Sequence, residues 1–253
     1  MKKCIKIQKK SQIFPFIILA IIILAVIIVY FGLRPDVKSS KISPEIFPLF
    51  NFVENCVQKV TGDAIYNIGE TGGYFFAPNL SIDNIAYYFY EKENYMPSKE
   101  KIEDELSDYI NSMLFFCTKN FEDFNDYEVN QREIATKTII EDEKIVFNID
   151  YQLSIKKDKA SYLIEGFELE VPVRLGVIHK VANEIMKEQM EEKDAICISC
   201  IGELAEENDL FVDLRDYEND SIIFYIIDRN SEINEDVYVF NFANRYEKYE
   251  NEV

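Results

Sequence analysis

The chain has no tryptophan, a single histidine, eight glycines and seven prolines in 253 residues. So little Gly and Pro excludes collagen-like and low-complexity structure and leaves a chain able to build a core. With His179 alone, a Ser-His-Asp triad has one available base, and no G-x-S-x-G supplies its nucleophile. A Walker loop, a G-x-G-x-x-G turn, an H-x-x-x-H pair and a calcium-loop spacing are all missing, so no cofactor is indicated. Basic residues are scarce as well: 27 Lys and Arg stand against 46 Asp and Glu, a net charge of −19. A surface of that sign repels phosphates, which excludes nucleic acid as a partner.

What the sequence does contain, first, is an unbroken apolar run over residues 13–33. Its 21 residues would form a helix about 32 Å long, enough to cross a bilayer core of roughly 30 Å. Lys2, Lys3, Lys6, Lys9 and Lys10 precede it, and every acid follows it. Positive flanks stay cytoplasmic, so the N-terminus is expected inside and residues 34–253 outside. A cleaved secretory signal would have a shorter apolar core, about 7–15 residues, and an A-x-A-like exit. Here the exit reads Tyr30-Phe31-Gly32-Leu33-Arg34-Pro35, which favours an uncleaved anchor. The expected organisation is a basic leader (1–12), a transmembrane helix (13–33), a stem (34–43) and an extracytoplasmic domain (44–253) with room for a subdivision near 174. The bilayer is thus the first expected partner, through residues 13–33.

The segment Lys9-Lys10-Ser11-Gln12-Ile13-Phe14-Pro15-Phe16-Ile17-Ile18 resembles the start of archaeal type IV pilin-like precursors. That resemblance implies cleavage between Ser11 and Gln12, leaving the hydrophobic helix at a new N-terminus. Phe16 stands where many pilins carry Glu, and Pro35 and Pro44 interrupt the helix that a filament subunit would continue. The remainder is similar to archaeal single-pass membrane proteins that carry no assigned activity. The motifs are Val53-Glu54-Asn55-Cys56, Gly72-Gly73-Tyr74, Val171-Pro172-Val173-Arg174-Leu175-Gly176 and Cys197-Ile198-Ser199-Cys200.

Beyond the stem, Ser43 and Pro44 read as a capping hydroxyl and a first-turn proline. The stripe Ile46, Leu49, Phe50, Val53, Cys56, Val57, Val60, Ala64 and Ile68 has helical spacing. Gly72-Gly73 ends it. Residues 74–95 are aromatic and irregular, a short strand or wrapped loop around Tyr87-Tyr88-Phe89-Tyr90. Ser98 caps a second helix with the stripe Ile102, Leu106, Tyr109, Ile110, Met113, Leu114 and Cys117. From Tyr127 the period becomes two, clearest at Ile145, Phe147, Ile149, Tyr151, Leu153 and Ile155. Residues 174–192 return to helical spacing, a shorter helix follows at 197–207, and strands are expected at 210–216, 221–228 and 236–245. The fold class is α+β: helices packed on antiparallel sheet made of two three-stranded meanders.

Cysteine carries the chemistry that the sequence offers. Cys4 lies in the leader; the other four fall in the domain expected outside, where disulfides persist. Cys56 and Cys117 sit on facing apolar stripes, either bridged or packed as small hydrophobes. Cys197 and Cys200 form a C-x-x-C that Asp194 could cap. No βαβ pattern surrounds it, so a structural pair is favoured over a redox site or half of a zinc site. His179 reads as a satisfied, half-buried side chain, and the 87–90 aromatics as core before carbohydrate or peptide platform. Asn79-Leu80-Ser81 and Asn219-Asp220-Ser221 are glycosylation sequons. The expected role is non-catalytic, an envelope component that assembles with other membrane or envelope proteins. The alternatives are a thiol-disulfide oxidoreductase using Cys197 and Cys200, and a ligand-sensing domain.

Overall fold

The computed structural model describes residues 43–218 and 220–246. The leader, the expected membrane helix over 13–33, all of the stem but residue 43, Cys4, and the processing pair Ser11 and Gln12 lie outside the described residues. No helix among the described residues is long and apolar enough to cross a membrane. From Pro44 onward the chain forms one compact unit, and the boundary allowed near 174 falls inside it.

Helix α1 (Phe47–Thr71) buries Leu49, Val53, Cys56, Val57, Val60, Ala64, Ile65 and Ile68 on one face. It begins three residues later than Ser43-Pro44 suggested, with Ile46 at the cap position and no side-chain cap. The reason is Pro48. In a helix starting at 44, Pro48 would owe a hydrogen bond it has no N–H to make; in one starting at 47 it falls in the first turn, where that N–H is surplus. The helix ends at Gly72, whose φ of 73° suits a residue without Cβ. Ser98 accepts from the Lys101 amide at 3.2 Å and starts helix α2 (Lys99–Thr118), which buries Ile102, Leu106, Ile110 and Leu114. A disulfide, Cys56–Cys117, ties α1 to α2 with a Cα separation of 5.8 Å.

The aromatic stretch after α1 is strand, not loop. It forms β1 (Ser81–Ile82), β2 (Ile85–Tyr90) and β3 (Glu93–Asn94). Near the C-terminus come β10 (Phe211–Tyr217), β11 (Ser221–Ile233) and β12 (Asp236–Arg245). These do not stand as a separate three-stranded meander. The order is β1-β2-β12-β11-β10, with β3 on β2, and β12 runs parallel to β2. Across this sheet Tyr88, Phe242 and Phe224 stack with ring centroids 4.6 Å apart at each step. The Tyr88 hydroxyl donates to the Gly72 carbonyl and the Tyr238 hydroxyl to that of Ile65, which seats α1 on the sheet.

The middle of the chain is a meander whose three strands all bend. It comprises β4 (Glu128–Gln131), β5 (Ala135–Ile140), β6 (Ile145–Asp150), β7 (Leu153–Lys157), β8 (Ala160–Ile164) and β9 (Phe167–Val171). Two three-stranded antiparallel sheets result, β4-β7-β8 and β5-β6-β9. The alternation that marked one strand over 145–155 still buries Phe147, Ile149, Tyr151, Leu153 and Ile155. The ladder breaks because Gln131 pairs with Leu153 but Ala135 with Asp150, so three residues face two, as in a bulge. At the break the Tyr151 hydroxyl donates to Gln131 Oε1 at 2.7 Å.

Two further helices, α3 (Leu175–Glu191) and α4 (Ile198–Glu207), close the unit. Arg174, the cap residue of α3, joins three elements. Its Nη1 lies 2.9 Å from Asp228 Oδ1 on β11, and its Nη2 donates to the Asn208 carbonyl at the end of α4. Asp228 is fully buried, and its other oxygen accepts from the Ser231 hydroxyl at 2.6 Å. Next to it, a Cβ on Gly176 would overlap the Glu141 carbonyl, so only glycine lets the β5–β6 turn lie against α3. Arg174→Met strands a buried carboxylate and is expected to cost about 3–5 kcal/mol in urea unfolding, with Arg174→Met/Asp228→Leu recovering part of it. A double variant no better than the single one would mean that the pair is not what joins these elements.

Candidate functional site

Cys197 and Cys200 are bonded, with Cα atoms 5.3 Å apart. The sequence offered Asp194 as the cap of this helix. Instead Cys197 is the cap, its Sγ accepting from the Cys200 amide at 3.3 Å, while Asp194 pairs with Lys92 at 2.8 Å. Both cysteines are half-buried, and Ile198 between them is 60% exposed. The bond therefore sits at the rim of the unit, unlike Cys56–Cys117, where Cys56 is buried against α2. The described residues hold no group of three or more His, Cys, Asp and Glu placed to bind a metal ion.

His179 lies on α3 with its Nε2 3.2 Å from the Pro97 carbonyl. Burial lowers its pKa against the opposing pull of that carbonyl and Glu100. It is a tether between α3 and the approach to α2. Tyr87, Tyr88 and Phe89 are buried core residues. Asn79 of the first sequon is exposed, and Asn219 of the second lies outside the described residues.

One recess was not anticipated from the sequence. A cleft of about 550 Å³ opens between the end of α1, the loop after it, the β1–β2 turn and the outer side of α2. Phe75 and Phe76 stack at 4.1 Å, and Phe75 meets Tyr109 at 4.7 Å, forming one wall. Glu70, Asp83 and Asn67 line the rest, together with Met113. Burial, with help from Asp63, raises the Tyr109 pKa. Tyr109 and Met113 had been assigned to the buried stripe of α2; they are only partly covered, facing the cleft while Ile102, Leu106, Ile110 and Leu114 are buried. The available signal was their spacing with Phe116, a second apolar strip at i, i+4 and i+7. No protein-family model, curated protein or solved structure matches the chain.

Two outcomes follow from these sites. The Cys56–Cys117 bond closes a separation of 61 residues and Cys197–Cys200 one of 3. On the chain-entropy account, removing the first pair as Ala/Ala is expected to cost about 4 kcal/mol and the second about 1.5, by urea unfolding; equal losses would refute that account here. For His179 the neutral form is favoured in the fold, so the unfolded chain takes up the proton first. Its contribution is intact above the ordinary value of 6.5 and is lost as pH falls through 6.5 toward the depressed folded value. His179→Gln, which can still donate to Pro97, is expected to show a shallower loss of stability below pH 6.5 than wild type.

Proposed function

We propose that the chain is an extracytoplasmic binding or assembly component of the cell envelope, held at the membrane by residues 13–33 with a cytoplasmic basic leader. The observation that carries this reading is the pair of disulfides, Cys56–Cys117 and Cys197–Cys200. Such bonds persist in oxidising compartments, the side of the membrane to which the lysine-rich leader consigns everything after residue 33. The remaining features of the unit are scaffold features: a buried ion pair at Arg174, a histidine tethered to a carbonyl, and an aromatic core. Under this reading the partners are the bilayer and other membrane or envelope proteins, and a pilin-like anchor is a variant of it that turns on cleavage after Ser11.

A second reading has one observation in its favour. The Cys197–Cys200 bond caps a helix at the rim of the unit, where a partner's thiolate can reach it. Exchange would pass the disulfide to a partner dithiol and leave Cys197 and Cys200 as two thiols. A pair of that kind equilibrates with glutathione buffers near about −200 to −270 mV, whereas a structural bond stays oxidised to below about −300 mV.

The test of the main reading is the intact mass of protein extracted from membranes and alkylated without reduction. A full-length chain is expected to carry one label, on Cys4; a chain cleaved between Ser11 and Gln12 is expected to carry none and would establish the pilin-like variant. Recovery in the soluble fraction, or labels on the domain cysteines, would count against an oxidised domain anchored outside. Titrating the same sample through glutathione buffers separates the two readings: early reduction of Cys197–Cys200 selects exchange.

A further inference from the structure

The cleft beside α2 offers its occupant acceptors and no donors of charge. Glu70 and Asp83 supply two carboxylates, and no Lys, Arg or His lines it. The wall is aromatic, and Phe76 is 75% exposed, the most exposed of the large apolar side chains among the described residues. Elsewhere on this surface, some rings are covered by the chain's own cations. Lys157 sits over Tyr127 at 4.5 Å, Arg215 over Tyr225 at 4.8 Å and Arg245 over Tyr90 at 5.2 Å. Among the described residues no such cation covers Phe75, Phe76 or Tyr109. The recess is of small-ligand size, within the roughly 300–1,000 Å³ of ordinary sites.

We propose that this cleft binds an organic cation, an alkylammonium or guanidinium group held by Glu70 and Asp83 against the faces of Phe76 and Tyr109. Ring faces carry negative quadrupole density and attract such groups, and the carboxylates add charge where the aromatic wall excludes part of the water. The Asp83 carboxylate is already oriented by the Tyr217 hydroxyl, and the turn that carries it, Asp83-Asn84, has positive φ at both residues, 48° and 67°. The group can belong to a free amine or to a Lys or Arg side chain of a protein partner. The proposal rests on reading the domain as a binding module and names what that module recognises.

The experiment is a titration of the full-length chain in polyoxyethylene-ether micelles, followed by the NMR shift of the Met113 methyl. The probes are n-butylammonium, n-butylguanidinium, n-butanol, methyl glucoside and a blocked lysyl tripeptide. The cations are expected to bind about tenfold more tightly than butanol. Glu70→Gln and Phe76→Ala are each expected to weaken them about threefold with an unchanged thermal midpoint, since both side chains are exposed. The lysyl peptide binding more tightly than butylammonium assigns the group to a protein partner; the reverse assigns it to a free amine. Equal binding of butanol, tighter binding of methyl glucoside, or no shift at Met113 overturns the proposal. The module reading fails separately. A membrane partner that cross-links equally to wild type and to Glu70→Gln leaves the module standing and removes the cleft as its contact.

Discussion

A single buried carboxylate sets the terms for the second half of this chain. Asp228 has no exposed surface, so its charge must be met inside the protein. It is met by Arg174, whose side chain is 14% exposed, by the Ser231 hydroxyl and by the Asn230 amide at 3.1 Å. Each partner belongs to a different structural decision. Arg174 fixes where the meander stops and α3 begins. Ser231 reaches back because the β11–β12 register shifts between Asp228 and Glu232. Asn208, whose carbonyl takes the other guanidinium nitrogen, fixes the end of α4. Two apolar residues of equal volume could fill the same space, but they would not tie those three ends to one another. The pair is better understood as setting register than as adding stability.

The first half depends on a different device. Helices α1 and α2 pack along apolar stripes, and stripes slide; the Cys56–Cys117 bond stops them sliding at one point. Because α1 packs on β12 and α2 on β5, fixing one helix against the other also fixes the two sheet systems that they cover. The bond is thus a constraint on how the layers meet, and it acts on the folded arrangement as well as on the unfolded chain. Cys197–Cys200 does nothing comparable, since it joins residues one turn apart on a helix that packs mainly on α3 and β10. That difference is why the two bonds invite different functional readings.

Where the chain's structure was legible in its sequence, the signal was local. Leu49 to Ile68 and Ile102 to Leu114 repeat at helical spacing within one element, and Ile145 to Ile155 alternates through β6 and on into β7. Three things were not legible, for three physical reasons. Pro48 overrode the Ser43-Pro44 start because a missing N–H is tolerated only in a first turn. A disulfide sulfur, Cys197 Sγ, took the cap that Asp194 was expected to hold, while Asp194 is engaged by Lys92. And the parallel pairing of Tyr87 with Ala243 joins residues that no short window contains, so the aromatic run left a short strand and a wrapped loop equally open. The cleft is invisible for the last reason too: Glu70, Phe76, Asp83 and Tyr109 come from four separate segments.

The acidity of the chain looks different once the cleft is located. A net charge of −19 raises the local concentration of any cation near the surface, yet it does so without choosing among them. Inorganic cations are strongly hydrated and gain little from a ring face, whereas an alkylammonium or guanidinium group can lay its weakly hydrated side on one. The aromatic wall, not the carboxylates, therefore supplies the discrimination. The same negative field repels anionic surfaces, lipid headgroups among them. On the proposed reading, charge sorts partners by sign, and Phe75, Phe76 and Tyr109 sort them by shape.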